Sequence, residues 1–203
     1  MYLKILKKTL RYSLVFIGLL IAGLFLWLNF GVYTFIDGKT RNSIINSIEE
    51  APELPDNFMR VYTTLYPESI NNSFYHLLYD SLKGEHYELL PRSVAYDFSA
   101  SVHKANFFKW AAFSMYINNN ASREECFQAI MWRYDFTHNC IGVDQAAQFY
   151  YRKPLVSLND DQIIGLLVMY NNSSYYNPLR ENNKPFQRRF ESLKKKYIQA
   201  TKH

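Results

Sequence analysis

The sequence predicts a mainly α-helical domain carried on a single N-terminal transmembrane helix. Three observations point there. No charged side chain occurs from Tyr12 to Ile36, and the run from Leu14 to Leu28 is almost wholly apolar. Beyond it, apolar residues recur at helical spacing in stretches divided by polar breaks. Period-two alternation is nowhere sustained, so few strands are expected.

The apolar run is long enough to span a bilayer, since about 20 residues at ~1.5 Å each cross a ~30 Å hydrocarbon core. A helix there satisfies its own backbone hydrogen bonds. Tyr12, Trp27, Tyr33 and Phe35 fall near its two ends, where amphipathic rings favour the interface. Lys4, Lys7, Lys8 and Arg11 precede the run with no acid among them, which places residues 1–11 in the cytoplasm, 12–36 in the membrane and the remainder on the translocated side. A cleaved signal peptide is the alternative. Its apolar core would be ~7–15 residues with small residues at the cleavage site, whereas Trp27-Leu28-Asn29-Phe30 is a poor site.

Residues 37–57 read as a juxtamembrane linker that opens with a helical stretch, Arg41 to Glu50, and breaks at Ala51-Pro52-Glu53-Leu54-Pro55. Helices are then expected over Phe58–Leu65 and Ser73–Leu82, the second ended by Lys83-Gly84. Asn106–Ile117 is strongly apolar and predicts a core helix that stops at Asn118-Asn119-Asn120. Ser122 followed by Glu125 is a capping box, opening a helix to about Tyr134. Asp144–Tyr151 and Asp160–Tyr170 follow, the latter with Ser157 and Asn159 as cap candidates. Pro185–Ala200 closes the chain with proline in the first turn.

The net charge of +5 is mostly topology. Four bases precede the span, leaving 19 Lys/Arg against 18 Asp/Glu. From Arg180 onward eight bases face Glu181 and Glu191, a patch suited to anionic headgroups or a phosphorylated substrate, or else a solvated helix face. Lying on the translocated side, it argues against nucleic acid as a partner. Cys126 and Cys140 would either bridge in an oxidising compartment or stay as buried thiols. The five histidines are scattered, with no zinc-type spacing, and neither a metal site nor a cofactor is expected.

From Gly142 onward the residue order becomes specific. Gly142-Val143-Asp144-Gln145-Ala146-Ala147-Gln148-Phe149-Tyr150-Tyr151-Arg152-Lys153-Pro154 resembles the "YGIEAAARYYFGKP" element of the family 51 glycosyltransferases, which polymerise lipid II into peptidoglycan. Leu158 to Leu167 is similar to "LTLAEAALLA", Asn172 to Pro178 to "PSxYNP", and Arg188-Arg189 to the "RR" of the closing helix. Upstream, Leu54 to Phe58 resembles "LPxxF" and Ser122 to Glu125 "SKEE". The resemblance implies a lysozyme-like glycosyltransferase domain over 58–203. Its surroundings would be the extracytoplasmic face of a bacterial inner membrane, with lipid II or nascent glycan as ligand and cell-wall synthesis proteins as possible partners.

That family's chemistry uses two glutamates. One, in "EDxxFxxHxG", is general base on the acceptor hydroxyl. The other, in "RKxxE", supports the departing diphosphate, whose charge also calls for Lys/Arg or a metal. Counting from Phe58, the first falls on Tyr66, with Glu68 two positions on. Counting back from Ser122, the second falls on Trp110, and no carboxylate occurs between Asp97 and Glu124. The "GSTITQQ" element falls on Arg92 to Phe98, keeping only its serine, and the lysine after it is Ser101.

The resemblance therefore implies a peptidoglycan glycosyltransferase-like protein that is catalytically impaired, a pseudoenzyme in the limit. Glu68 is the candidate base, against a surface glutamate after a proline turn. Asp97, Lys104, Arg188 and Arg189 are candidate substrate contacts, against turn-capping and helix-face salt bridges. Two alternatives stand beside this reading. One is a non-enzymatic scaffold binding lipid II, glycan or a wall-synthesis partner. The other is a lysozyme-like glycan-cleaving enzyme, which needs a glutamic acid in an apolar pocket.

Overall fold

The structure, a computed structural model, describes residues 2–76, 79, 83, 90–98, 102 and 106–202. Among them the chain is helical, with no strand and one isolated antiparallel bridge, Asp135 to Ile141. Helix α1 (Tyr2–Phe30) runs unbroken through the apolar stretch, and the segment Leu6–Thr34 is long and apolar enough to cross a membrane, the mean hydropathy of its most apolar window being 2.3. Its side chains from Leu6 to Leu26 face outward. The last turn differs: Leu28 is buried, and a 3-10 turn (Gly31–Thr34) carries Val32, and just beyond it Ile36, into the core.

Helix α2 (Gly38–Glu49) starts three residues before the expected Arg41 because Asp37 caps it. The Asp37 carboxylate accepts from the Thr40 N–H at 3.0 Å and the Thr40 hydroxyl at 2.6 Å, which holds its pKa below the ordinary value. Ile44, Ile45 and Ile48 of α2 are buried, as is Leu54. The indole N–H of Trp132 donates to the Pro52 carbonyl at 2.6 Å. Much of the stretch expected as a linker is thus packed against the domain.

Helix α3 (Asp56–Leu65) buries Phe58, Val61, Tyr62 and Leu65, the i, i+3, i+4, i+7 stripe of a core-facing helix. A short α4 (Pro67–Asn71) follows, where the sequence offered a proline turn as one alternative. Of the helix expected over Ser73–Leu82, residues 74–76 and 79 are helical, Ser73 stands just before them with its hydroxyl accepting from the His76 N–H at 3.1 Å, and residues 77, 78 and 80–82 lie outside the described residues. Helix α5 (Leu90–Asp97) was not foreseen as a helix. Helix α6 (Phe107–Asn120) is capped by Asn106, which accepts from the Lys109 N–H at 3.0 Å. It continues through the three asparagines, the Asn120 side chain donating back to the Tyr116 carbonyl at 2.7 Å.

Helix α7 (Arg123–Arg133) opens with both bonds of the capping box, Glu125 N–H to Ser122 Oγ at 3.1 Å and Ser122 N–H to Glu125 Oε2 at 2.6 Å. Helix α8 (Val143–Tyr151) follows a tight strap, and a 3-10 turn (Leu155–Ser157) leads to α9 (Asp160–Asn171), capped by Asn159 rather than Ser157. Every residue from Ile163 to Met169 is buried, so α9 is the central helix of the core. It packs against α3, α8 and α10 (Lys184–Ala200), while α7 sits between α2, α5 and α8.

Arg60, Asp160 and Tyr197 tie α3, α9 and α10 together. The Arg60–Asp160 pair closes at 2.6 Å and the Tyr197 hydroxyl donates to Asp160 Oδ2 at 2.7 Å. The Arg60 hydrogen bond holds the Asp160 carboxyl below its ordinary 3.8. Its stabilisation is therefore present above that value and lost as pH falls through the lowered folded value. With side chains 52 and 39 % exposed, the share is about 1 kcal/mol or less after solvent screening. Asp160→Asn is expected to remove it, flattening the acid limb of a stability profile measured by chemical denaturation from neutral pH downward. An unchanged acid limb would refute the assignment.

Candidate functional site

Tyr66 ends α3 with a turned backbone, and Pro67, lacking an N–H, starts α4 at once. Glu68 therefore stands in the first turn of α4, half-buried. Two cations bracket this segment. Lys196 of α10 donates to the Leu65 carbonyl, and its ammonium lies 5.4 Å from the centre of the Tyr66 ring. Arg123, at the start of α7, reaches the Ser69 carbonyl and Asn118 Oδ1, each at a long 3.5 Å. Burial holds the Arg123 guanidinium below its ordinary value, and it forms no ion pair among the described residues. Neither cation was singled out from the sequence. They lie 54 and 131 residues from their carbonyl partners, and no local pattern announces such contacts.

The remaining candidates do not gather around Glu68. Asp97 ends α5 with its surface open to solvent, yet the protein around its carboxyl pushes its pKa up, while Arg133 pulls it down. The Arg133 guanidinium also lies 4.1 Å over the Phe98 ring. Asp97 is thus associated with the C-terminal end of α7, and the Glu68 segment with its N-terminal end. A helix of this span separates those ends by about 15 Å. Arg188 is exposed and Arg189 half-buried on the first half of α10, roughly 12 Å along the axis from Lys196. Neither arginine forms an ion pair among the described residues. Lys104 and Ser101 lie outside the described residues.

Helix α6 carries no carboxylate. Trp110 is half-buried and packs against the main core, while Phe107 and Phe108 face outward. The position that the resemblance assigns to the second acid is held by the Trp110 ring. Among the described residues, no cluster of three His, Cys, Asp or Glu side chains is placed to hold a metal ion.

A second polar cluster closes the strap before α8. Thr137, His138 and Asn139 all have positive φ, of 66, 52 and 60°. The buried amide of Asn177 holds this loop, its Nδ2 lying 2.9 Å from Thr137 Oγ1, 3.3 Å from His138 Nε2 and 3.3 Å from the Tyr150 hydroxyl. The Tyr150 hydroxyl donates to the Phe136 carbonyl at 2.8 Å. Ser173 Oγ donates to the Asp135 carbonyl at 2.7 Å. This cluster is structural: it fixes a left-handed loop with side-chain hydrogen bonds. Cys126 and Cys140 are free and buried. Burial pushes the Cys126 thiol up to about 12, so it stays protonated and a poor nucleophile.

No curated protein matches the chain. A family model described as transglycosylase matches residues 102–197, just under half of the chain, from before α6 to near the end of α10. The matched residues include Trp110, Arg123, Arg188, Arg189 and Lys196, and exclude Glu68 and Asp97. Residues 102–197 are therefore similar to the transglycosylase family, in line with the family 51 glycosyltransferase resemblance read from the sequence.

Proposed function

We propose that this protein is a membrane-anchored, peptidoglycan glycosyltransferase-like protein that acts in cell-wall glycan assembly by binding lipid II or nascent glycan, and that it has lost most or all polymerising activity. Helix α6 carries the argument. It lies inside the family-matched residues, yet it holds Trp110 at the position of the second acid and has no carboxylate along its length. Ligand binding draws support from Arg123 and Lys196, which bracket the Glu68 turn with positive charge suited to a diphosphate. Anchoring draws support from α1, and the bases before its apolar run favour a cytoplasmic N-terminus and an extracytoplasmic domain.

The scaffold reading is the limit in which chemistry is gone and only recognition of glycan, lipid II or a wall-synthesis partner remains. The same acid-free helix favours it. Glycan cleavage is less well supported, since it needs a carboxylic acid raised by an apolar pocket and Glu68 is only half-buried at a helix start.

The full-length protein in detergent is expected to polymerise lipid II at least about 10²–10⁴-fold more slowly than an active family member, the usual cost of losing a general base. Lipid II binding should persist, and Glu68→Gln should change neither result. A glycan ladder that vanishes in Glu68→Gln would instead assign Glu68 as a relocated base. Absence of both polymerisation and binding would remove lipid II from the reading.

A further inference from the structure

Three cations gather on α1 at the end away from the domain. Lys7, Lys8 and Arg11 line a groove on the helix surface together with Tyr12 and Val15. At 3.6 residues per turn the three fall within about 100° of the helix circumference. Leu6 and Leu10 point away from them and are exposed. The Lys8 ammonium lies 5.8 Å from the centre of the Tyr12 ring. None of the three cations forms an ion pair among the described residues. The first acid in the sequence is Asp37, beyond the far end of the apolar run.

This cluster has no counter-charge of its own. Lys7 and Arg11 stand four apart, Lys8 and Arg11 three apart, and like charges at those spacings on a helix repel. An anion seated among them relieves the repulsion. The depth of the groove says which kind. Arg11 is the last charge before the apolar run, so hydrocarbon begins near Tyr12. Lys7 lies about 6 Å outside Arg11 along the axis, and the headgroup layer of a bilayer is about 5–7 Å thick on each side. The three cations thus span the layer that holds lipid phosphates. Val15 lies about 6 Å inside Arg11, where acyl chains start. Charge at one end of the groove and apolar surface at the other match an amphiphile. An acidic protein segment would cover the cations and leave Val15 unused.

We propose that Lys7, Lys8 and Arg11 form a site for the phosphate group of one anionic phospholipid of the cytoplasmic leaflet, whose glycerol and upper acyl chain lie along Tyr12 and Val15. The Tyr12 ring attracts the Lys8 ammonium and holds it over the groove. The proposal rests on the reading that α1 spans the bilayer with residues 1–11 in the cytoplasm.

The test is native mass spectrometry of the full-length protein, released from detergent after exposure to equimolar phosphatidylglycerol and phosphatidylcholine with the same acyl chains. One phosphatidylglycerol per chain is expected, preferred by about ten-fold or more, since each of three cations near a lipid surface contributes. The combined variant Lys7→Gln, Lys8→Gln, Arg11→Gln should bring the ratio close to one. Lys184→Gln with Lys195→Gln, which neutralises two exposed cations of α10, should leave it unchanged. Each variant is checked for native helical content. A preference that survives the triple substitution would overturn the site, and its loss in the α10 variant would move it to that helix. No preference in the native chain would also overturn it, leaving the cations to an acidic protein or to solvent. Glycerol phosphate at the lipid's own concentration should not displace the lipid; displacement would overturn the lipid assignment in favour of a soluble phosphate. Flotation with phosphatidylcholine vesicles checks the anchor separately. Native chain and triple variant should both float, because the apolar run is untouched. Chains that stay behind would remove the anchor reading and the site together, whereas flotation without a lipid preference would remove the site alone.

Discussion

Phe127→Ala is expected to destabilise the domain by about 3–5 kcal/mol, the usual range for deleting a fully buried aromatic ring. Phe127 lies on α7 with no exposed surface, its ring centroid 3.5 Å from that of Tyr62 in α3 and nearly parallel to it. Phe58 of α3 and Tyr170 of α9 complete the cluster at 6.3 and 6.2 Å. Truncation leaves a void bordered by three helices that are themselves fixed from other sides: α3 by Arg60 and Asp160, α7 by its capping box. Such a site collapses poorly. With total stabilities of only about 5–15 kcal/mol, the variant should lose about a fifth or more of its unfolding free energy. Thermal or denaturant unfolding in detergent checks this, and a change below 1 kcal/mol would mean the cavity relaxes or the stack contributes little. Phe127→Leu, which keeps most of the volume, should lose less than the alanine variant.

Gly142→Ala should be nearly as damaging. Gly142 has φ +88° and ψ 154°, a region essentially closed to residues with a side chain. A Cβ there would lie 2.7 Å from the Trp132 carbonyl oxygen, which is backbone and cannot swing aside. The conformational cost alone is about 1–3 kcal/mol. The clash adds to it by prising α8 from the end of α7 and weakening the Gly142 N–H bond to the Tyr134 carbonyl at 2.9 Å. Gly23→Ala is the control: nothing lies within 4 Å of a Cβ at that position, so stability in detergent should not change. Equal unfolding midpoints for the two variants would refute the argument.

The helices most legible in the sequence were those with chemical punctuation. Ser122 with Glu125, and Asn159 before α9, announce their helices through side chains that satisfy orphan backbone donors, and the structure places them as expected. Less was legible where a boundary depends on one bond or on tertiary packing. Helix α2 begins early because Asp37 reaches Thr40, and α6 outlasts its expected stop because Asn120 bonds back to Tyr116. Among its described side chains, helix α5 buries Leu90, Pro91, Val94 and Ala95, too short a stripe to stand out. Candidate-site residues were readable as types but not as neighbours. Glu68 was found by its spacing from Phe58, whereas the two cations beside it come from α7 and α10, and only the fold brings them there.

The burial of Leu28 in the last turns of α1, and of Val32 and Ile36 just beyond it, fixes that end of the helix into the domain. A helix that crosses a bilayer responds to thickness by tilting, since mismatch costs fractions of a kcal/mol per Å. Once α1 spans, any tilt it adopts must be shared by α6 and by the core to which Val32 and Ile36 belong. Lipid composition then becomes an input to orientation: a thinner membrane would swing the Glu68 turn through an arc relative to the headgroups, and a thicker one would bring it back.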